Sequence, residues 1–261
     1  MKVSDDKLPP DDANVIRELR LRTAEVAHKA QDGHVPSAIS ILEPTYILFK
    51  EFDVTLGGAN RFVLSKGHGI LSLWVVMERF SLLGGAELDK FGTFSSPFGG
   101  HPDRLKAPQA VASTGSLGHG LPIAVGIAYS KLHFGPRGHV FSIVGDGECN
   151  EGSIWEAALL ASHHKLANLT VWIDYNRSGD RALLLDSLSE KWKSFGFDVL
   201  EINSHNLASV REALSFRSDS PVAIIAHSTK GKGITFMEDQ PAWHHGIISD
   251  EDMAQIRGEL S

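Results

Sequence analysis

Five strand-length apolar stretches, at 61–64, 139–144, 168–173, 198–202 and 221–226, are separated by helix-length segments at 69–83, 120–134, 151–166, 188–195 and 206–216. Parallel neighbours need a crossover, whereas antiparallel ones can share a tight hairpin. The alternation therefore predicts a mostly parallel sheet with helices on both faces, a three-layer α/β/α fold. Unbroken runs such as Val222-Ala223-Ile224-Ile225-Ala226 suit strands buried on both sides. A further helix is predicted over 12–31, where Val15, Ile16, Leu19, Ala24, Val26 and Ala27 share a face, with Asp11-Asp12 as its start and Gly33 as its stop. The segment from Ser249 onward reads as an amphipathic helix capped by Ser249 or Asp250. The longest irregular stretch, roughly 93–114, is rich in Gly, Pro and Ser, and a loop that long inside a compact domain is usually functional or disordered.

No linker divides the 261 residues, 42% of them apolar and 22% charged, so one α/β domain over 1–261 is expected. A net charge of −7, relieved only by the basic residues near 228–232, argues against a nucleic-acid surface. Cys149 is the only cysteine, which excludes an intramolecular disulfide and makes a reducing cytoplasm the expected compartment. The N-terminus lacks an apolar core of the signal-peptide kind, and no stretch reaches the roughly eighteen apolar residues of a membrane span.

The predicted sheet also locates the chemistry, because open parallel sheets bind ligands beyond the carboxyl ends of their strands. Val140–Val144 breaks into Gly145-Asp146-Gly147-Glu148, and a second apolar run ends at Asp174-Tyr175-Asn176. The first strand end offers a carboxylate and bare amides; the second brings an Asn oxygen to the same edge. Together they suit a hard divalent cation bridging protein oxygens to a diphosphate. A helix starting near Glu151 or Gly152 would turn its positive end toward that crevice, and Lys230 falls at the same edge. Gly-Asp-Gly alone is a common turn. Four of thirteen histidines, His34, His68, His101 and His244, lie in glycine-containing loop sequence, DGHV, KGHG, GGHP and WHHG, rather than on apolar faces.

The stretch GDGECNEGSIWEAALLASHHKLANLTVWIDYNRSG at 145–179 resembles the thiamine diphosphate motif as it is worded in the transketolase family. The resemblance continues through GHVPSA at 33–38, FVLSKGHG at 62–69, GGHPD at 99–103, STGSLGHG at 113–120, STKGKGI at 228–234 and AWHHG at 242–246. It implies that Asp146, Asn176 and the main-chain carbonyl of Ser178 hold Mg2+, with Ca2+ or Mn2+ as substitutes, and that the Gly147 amide touches the diphosphate of thiamine diphosphate. It implies Lys230 and His68 near the diphosphate, Gly115, Ser116 and Leu117 beside the aminopyrimidine and thiazolium, and Ser37 as a cofactor-side hydroxyl or small residue. His34, His101 and His244 are implied to face sugar hydroxyls and carbonyl, with His244 also on the cofactor side. Ketose cleavage needs donors for a developing alkoxide and an acceptor for a hydroxyl proton, and imidazole serves both near neutral pH.

Three departures from the family's wording stand out. His119 replaces the common Gln of SLGQG, Val35 separates His34 from Pro36, and WHHG offers both His244 and His245, of which His244 follows Trp243 in the family's register. Two of these changes face the presumed substrate pocket, so the substrates need not be the common pentose phosphates. A single-chain transketolase carries two further domains, one of which supplies the glutamate that activates the aminopyrimidine. The expectation is therefore the N-terminal subunit of a split transketolase, active on sugars or sugar phosphates only with a companion C-terminal subunit. Glu151 matches a family glutamate at a subunit contact, which implies self-association and an α2β2 assembly. The alternatives are a synthase of the deoxyxylulose phosphate type, a generic α/β binder and a non-catalytic thiamine diphosphate-binding subunit.

Overall fold

The structure, a computed structural model, describes residues 11–181 and 183–261. All five expected strands form, as β1 (Arg61–Leu64), β2 (Val140–Gly145), β3 (Leu169–Tyr175), β4 (Asp198–Asn203) and β5 (Val222–His227). They make one sheet in the order β1-β2-β3-β5-β4, and every neighbouring pair is parallel. Ten α-helices lie among the described residues: α1 (Asp12–Ala30), α2 (Val35–Ile39), α3 (Leu42–Glu51), α4 (Ile70–Arg79), α5 (Gly85–Leu88), α6 (Gly120–His133), α7 (Gly152–His163), α8 (Leu188–Ser194), α9 (Leu207–Ser215) and α10 (Asp250–Leu260). None of them is long and apolar enough to cross a membrane.

Side chains alternate across a strand, and that alternation divides the core into two layers. Phe62, Leu64, Phe141, Ile143, Trp172 and Ile224 pack with α1, α3, α4, α9 and α10. Val63, Val144, Val171, Ile173 and Ile225 pack on the other side, with α6, α7 and α8. Burying a side chain of this size contributes roughly 1.5–3 kcal/mol. The β4 edge differs, with Asp198, Glu201 and Asn203 exposed, as suits a strand with one open side.

Helix ends follow local chemistry. Asp11 caps α1 by accepting from the Ala13 amide, Asn206 caps α9 through the Ala208 and Ser209 amides, and Ser249 forms a capping box with Asp252 on α10. The stop of α1 departs from expectation: Gln31, at φ 53°, takes the left-handed position. Gly33, at φ +130°, serves close approach instead, because a Cβ there would lie 2.8 Å from Leu71 Cδ1. The segment expected as one helix over 69–83 is a 3-10 turn at Gly67–Gly69 followed by α4, which ends at Arg79.

Parallel pairing puts the carboxyl ends of β1, β2, β3 and β5 on one edge of the sheet. The connections that leave them carry SKGHG, GDG, YNRSG and STKGKG.

Candidate functional site

A buried ion pair forms the floor of this edge. Asp174, at the end of β3, is fully buried and accepts from Lys66 Nζ at 2.5 Å, from Ser40 Oγ at 2.8 Å, from Asn176 Nδ2 at 2.8 Å and from Ser228 Oγ. Burial pushes its carboxyl up, but the Lys66 charge and these donors outweigh that and hold it below the usual carboxylate range. Lys66 Nζ also donates to Ser37 O at 2.9 Å. The pair thus joins the ends of β1, β3 and β5 to α2. It also sets the Asn176 amide: with the nitrogen turned to Asp174, the oxygen faces the Ser178 amide, 3.0 Å away.

Asp146 lies beside this floor, almost completely buried. Its Oδ1 accepts from the Gly147 amide at 2.7 Å, while its Oδ2 has no hydrogen-bond partner. Burial, followed by the Asp174 charge, pushes its carboxyl up to about 6. Gly179 folds the YNRSG turn onto Asp146 and Gly147 so closely that a Cβ at Gly179 would sit 2.7 Å from Gly147 Cα. A buried carboxylate oxygen without a donor, with the YNRSG turn packed against it, fits a hard oxygen-ligated cation, which would take the place of the proton. No cluster of three or more His, Cys, Asp or Glu suited to a metal exists among the described residues, so a cation here must draw on the amide and carbonyl oxygens. Between the ends of β3 and β5 opens a cavity of about 630 Å3, walled by Asn176, Ser178, Ser228, Lys230 and His244, in the size range of cofactor pockets.

The expected histidines converge. His68, His101 and His244 place their rings 5.3, 6.2 and 5.4 Å from that of His34, and His68 and His244 lie 5.6 Å apart. His245 joins them, 4.5 Å from His34, with its Nε2 donating to Asp32 at 2.8 Å. His244 faces the other way, its Nδ1 2.6 Å from Lys230 Nζ. An ammonium can only donate, so Nδ1 accepts and the His244 proton sits on Nε2. Burial, then Lys230, depresses the affinity of His244 for a second proton. Burial also dominates at His68, which is pushed far below the ordinary imidazole value. His34 is lowered to about 4 by burial, then by His245, His244 and His101. His34, His68 and His244 are therefore neutral at pH 7; His34 and His68 each keep a donor and an acceptor, whereas His244, its Nδ1 taken by Lys230, offers its Nε2 proton.

That depression gives a signed expectation. Unfolded chains take up a proton at His34 below about 6.5, whereas the native state resists until about 4. The His34 contribution to stability should fall as the pH drops from 6.5 to about 4 and then level off. Urea titrations across that window should show a shallower decline for His34→Gln; an unaltered slope would assign the effect elsewhere.

The TGSLG segment closes the site from the side. Gly115, at φ +150°, backs onto His101, whose ring lies 3.1 Å from where a Cβ would stand. Ser116 and Leu117 are exposed. Glu148 ties the segment down, accepting from Ser65 Oγ at 2.5 Å, from the Gly118 amide at 2.9 Å and from the Gly145 amide at 3.2 Å. Ser37 is sealed inside the fold, its Oγ without a partner, so its value to the crevice lies in its size rather than its hydroxyl. Glu151 is exposed at the N-cap of α7. Sequence reasoning missed Lys66, Asp174, Glu148 and Asp32. The one local signal was a charged residue ending each of two apolar runs, in FVLSK and LTVWID.

Oxygen groups and imidazoles thus gather around one cavity of about 630 Å3 at the carboxyl edge of a parallel sheet, the arrangement of an α/β ligand-binding domain. Residues 11–261 match the family described as transketolase, thiamine diphosphate binding domain, and the chain belongs to that family. It is 34% identical over 258 residues to an apulose-4-phosphate transketolase subunit from Phocaeicola vulgatus, covering 93% of this chain and 91% of that one. It is 33% identical over 265 residues to 6-deoxy-6-sulfo-D-fructose transketolase subunit SqwG of Clostridium sp., with coverage of 95% and 94%. Against the transketolase of Homo sapiens identity is 37% over 254 residues, but the match spans 41% of that longer protein. The transketolase structure from Leishmania mexicana shares the fold, at a TM-score of 0.89 and 24% identity, covering 97% of this chain and 42% of that one.

Proposed function

We propose that this chain is the diphosphate-binding subunit of a two-subunit, thiamine diphosphate- and Mg2+-dependent transketolase of the cytoplasm. It would transfer a two-carbon ketol unit from a ketose or ketose phosphate to an aldehyde acceptor. The observation that carries the reading is the gathering of His68, His101 and His244 around His34, directly beside the Asn176–Lys230–His244 cavity. Two relatives matched over almost their whole length are named as transketolase subunits, which supports the division between two chains.

In this reading Asp146, Asn176 and the Ser178 carbonyl hold the cation. Gly147, Lys230 and His68 take the diphosphate, and Gly115, Ser116 and Leu117 border the cofactor rings, with Ser37 kept small behind them. Bound thiamine diphosphate supplies the carbon nucleophile and the electron sink for carbon–carbon cleavage. The chain's own groups do the rest. His34, His101 and His244 donate to the substrate carbonyl oxygen as negative charge develops there, and His34 or His101 accepts the hydroxyl proton released on cleavage. His244 keeps its Nε2 proton available because Lys230 occupies Nδ1. A second cavity, of about 600 Å3, adjoins His101 within residues 92–113 and gives the substrate a way in. For assembly, exposed Leu159 and Leu160 on α7 and Ile123 on α6 offer an apolar face for self-association beside Glu151, consistent with α2β2.

Alanine at His34, His101 or His244 tests the division of labour. Assayed with the companion chain, each variant should bind thiamine diphosphate within several-fold of wild type while turnover falls roughly 100-fold or more. His245→Ala, whose ring is engaged by Asp32, should keep most activity. Loss of cofactor rather than turnover would reject the substrate-facing role, and an essential His245 beside a dispensable His244 would exchange the two.

A further inference from the structure

We propose that His205, outside the crevice, is a positioning residue for the Lys230 loop, acting through a relay that starts at Arg20 and ends on the main-chain amide of Thr229. The proposal rests on the reading above in which Lys230 meets the diphosphate. The Thr229 amide donates to His205 Nε2 at 2.9 Å. That nitrogen must therefore carry its lone pair, which leaves the ring proton on Nδ1 to donate to Glu43 Oε1 at 3.0 Å. Arg20 Nη2 donates to the same oxygen at 2.5 Å. Glu43 is only 1% exposed and pairs with Arg20, so the two ring bonds fix the orientation of the histidine.

The four members come from α1, α3, the turn after β4 and the turn after β5, and they converge on a single amide. The same relay grips the loop a second time. Arg20 lies against Gly233, at φ +92°, where a Cβ would stand 3.3 Å from Arg20 Cδ. Between these two points the Gly231 amide donates to Pro36 O at 3.2 Å, two residues from His34, while the Lys230 amide donates to Asp239 Oδ1 at 3.2 Å. The backbone of 229–233 is thus fixed relative to the imidazole cluster as well as to the sheet. An imidazole suits the task because it presents an acceptor on one edge and a donor on the other, reaching from the Glu43 carboxylate to the Thr229 amide. A carboxylate at 205 would have no proton to give Glu43, and a serine or threonine hydroxyl, though it can donate and accept, is too short to stand in for the two ring edges that meet Glu43 and the Thr229 amide.

His205→Ala and His205→Phe remove the acceptor, one leaving space and the other filling it, and His205→Gln keeps an acceptor at reach. Lys230→Ala tests the underlying reading. Amide exchange of the 229–233 segment in the isolated chain, and thiamine diphosphate affinity of the chain with its companion, are measured for each. The expected result is faster exchange confined to that segment and roughly tenfold weaker cofactor binding for whichever of the Ala and Phe variants folds, with both restored by Gln. Wild-type exchange and affinity in those variants would overturn the relay, as would failure of both to fold while Gln folds, since His205 would then be a stability element. If Lys230→Ala leaves affinity unchanged while His205→Phe still loosens the loop, the diphosphate role of Lys230 fails and the relay stands.

Discussion

Purified alone and supplied with thiamine diphosphate and Mg2+, the chain is expected to show no ketol transfer with any donor and acceptor pair; adding the companion chain should restore it. His101 and His244 are exposed to solvent, and hydrogen-bond donors aimed at a developing charge lose most of their effect where water competes. The match to the human transketolase spans 41% of that longer protein, and in the proposed reading the companion chain supplies the opposing wall. A preparation free of companion by mass spectrometry that turns over would refute the divided site. Light scattering should give a heterotetramer for the active complex, and a single copy of this chain in it would refute self-association.

Asp146→Ala is expected to abolish detectable thiamine diphosphate binding in Mg2+. Partners that merely orient a metal ligand are worth 10- to 100-fold in metal affinity, so removing the carboxylate itself should cost more than roughly 100-fold. A diphosphate in a crevice without its bridging cation is an uncompensated charge. Calorimetry on the complex tests this, and unchanged affinity would sink the assignment. The variant carries an internal control of opposite sign. An acid whose native pKa is raised opposes folding increasingly as pH rises from its unfolded value toward about 6. Free of ligand at pH 8, Asp146→Ala should therefore melt higher than wild type, and a lower melting temperature would mean that loss of binding reflects damage to the fold.

The strands were legible because fully buried strands are unbroken apolar runs, and the GDG and YN ends were legible because glycine and amide residues interrupt those runs abruptly. α2 and α3 were not. Residues 35–51 are buried on nearly every side, so no polar stripe marks a helical period, and Pro36 and Pro44 suggest loop although both occupy first turns, where proline is tolerated. The four imidazoles could be singled out by their loop contexts, but their distances depend on segments brought together from across the chain. Lys66 and Asp174 stand 108 positions apart and share one hydrogen bond; nothing local to either announces the other. The Arg20–Glu43–His205 relay was invisible for the same reason.

The Glu148 clamp separates what the molecule must keep from what it can change. It fixes Ser65, Gly118 and Gly145 through buried bonds, two of them to main-chain amides, so the cofactor-side loops depend little on which side chains surround them. Beyond Gly118 in the other direction, the 92–113 loop carries exposed Leu105 and fully exposed Phe94, the latter lining the cavity next to His101. Substitutions there alter the approach to the imidazoles without touching the clamp. Under the proposed function, drift in this tolerant loop would exchange one sugar for another while the hold on the coenzyme is inherited intact, a form of evolvability built into the wiring of one glutamate.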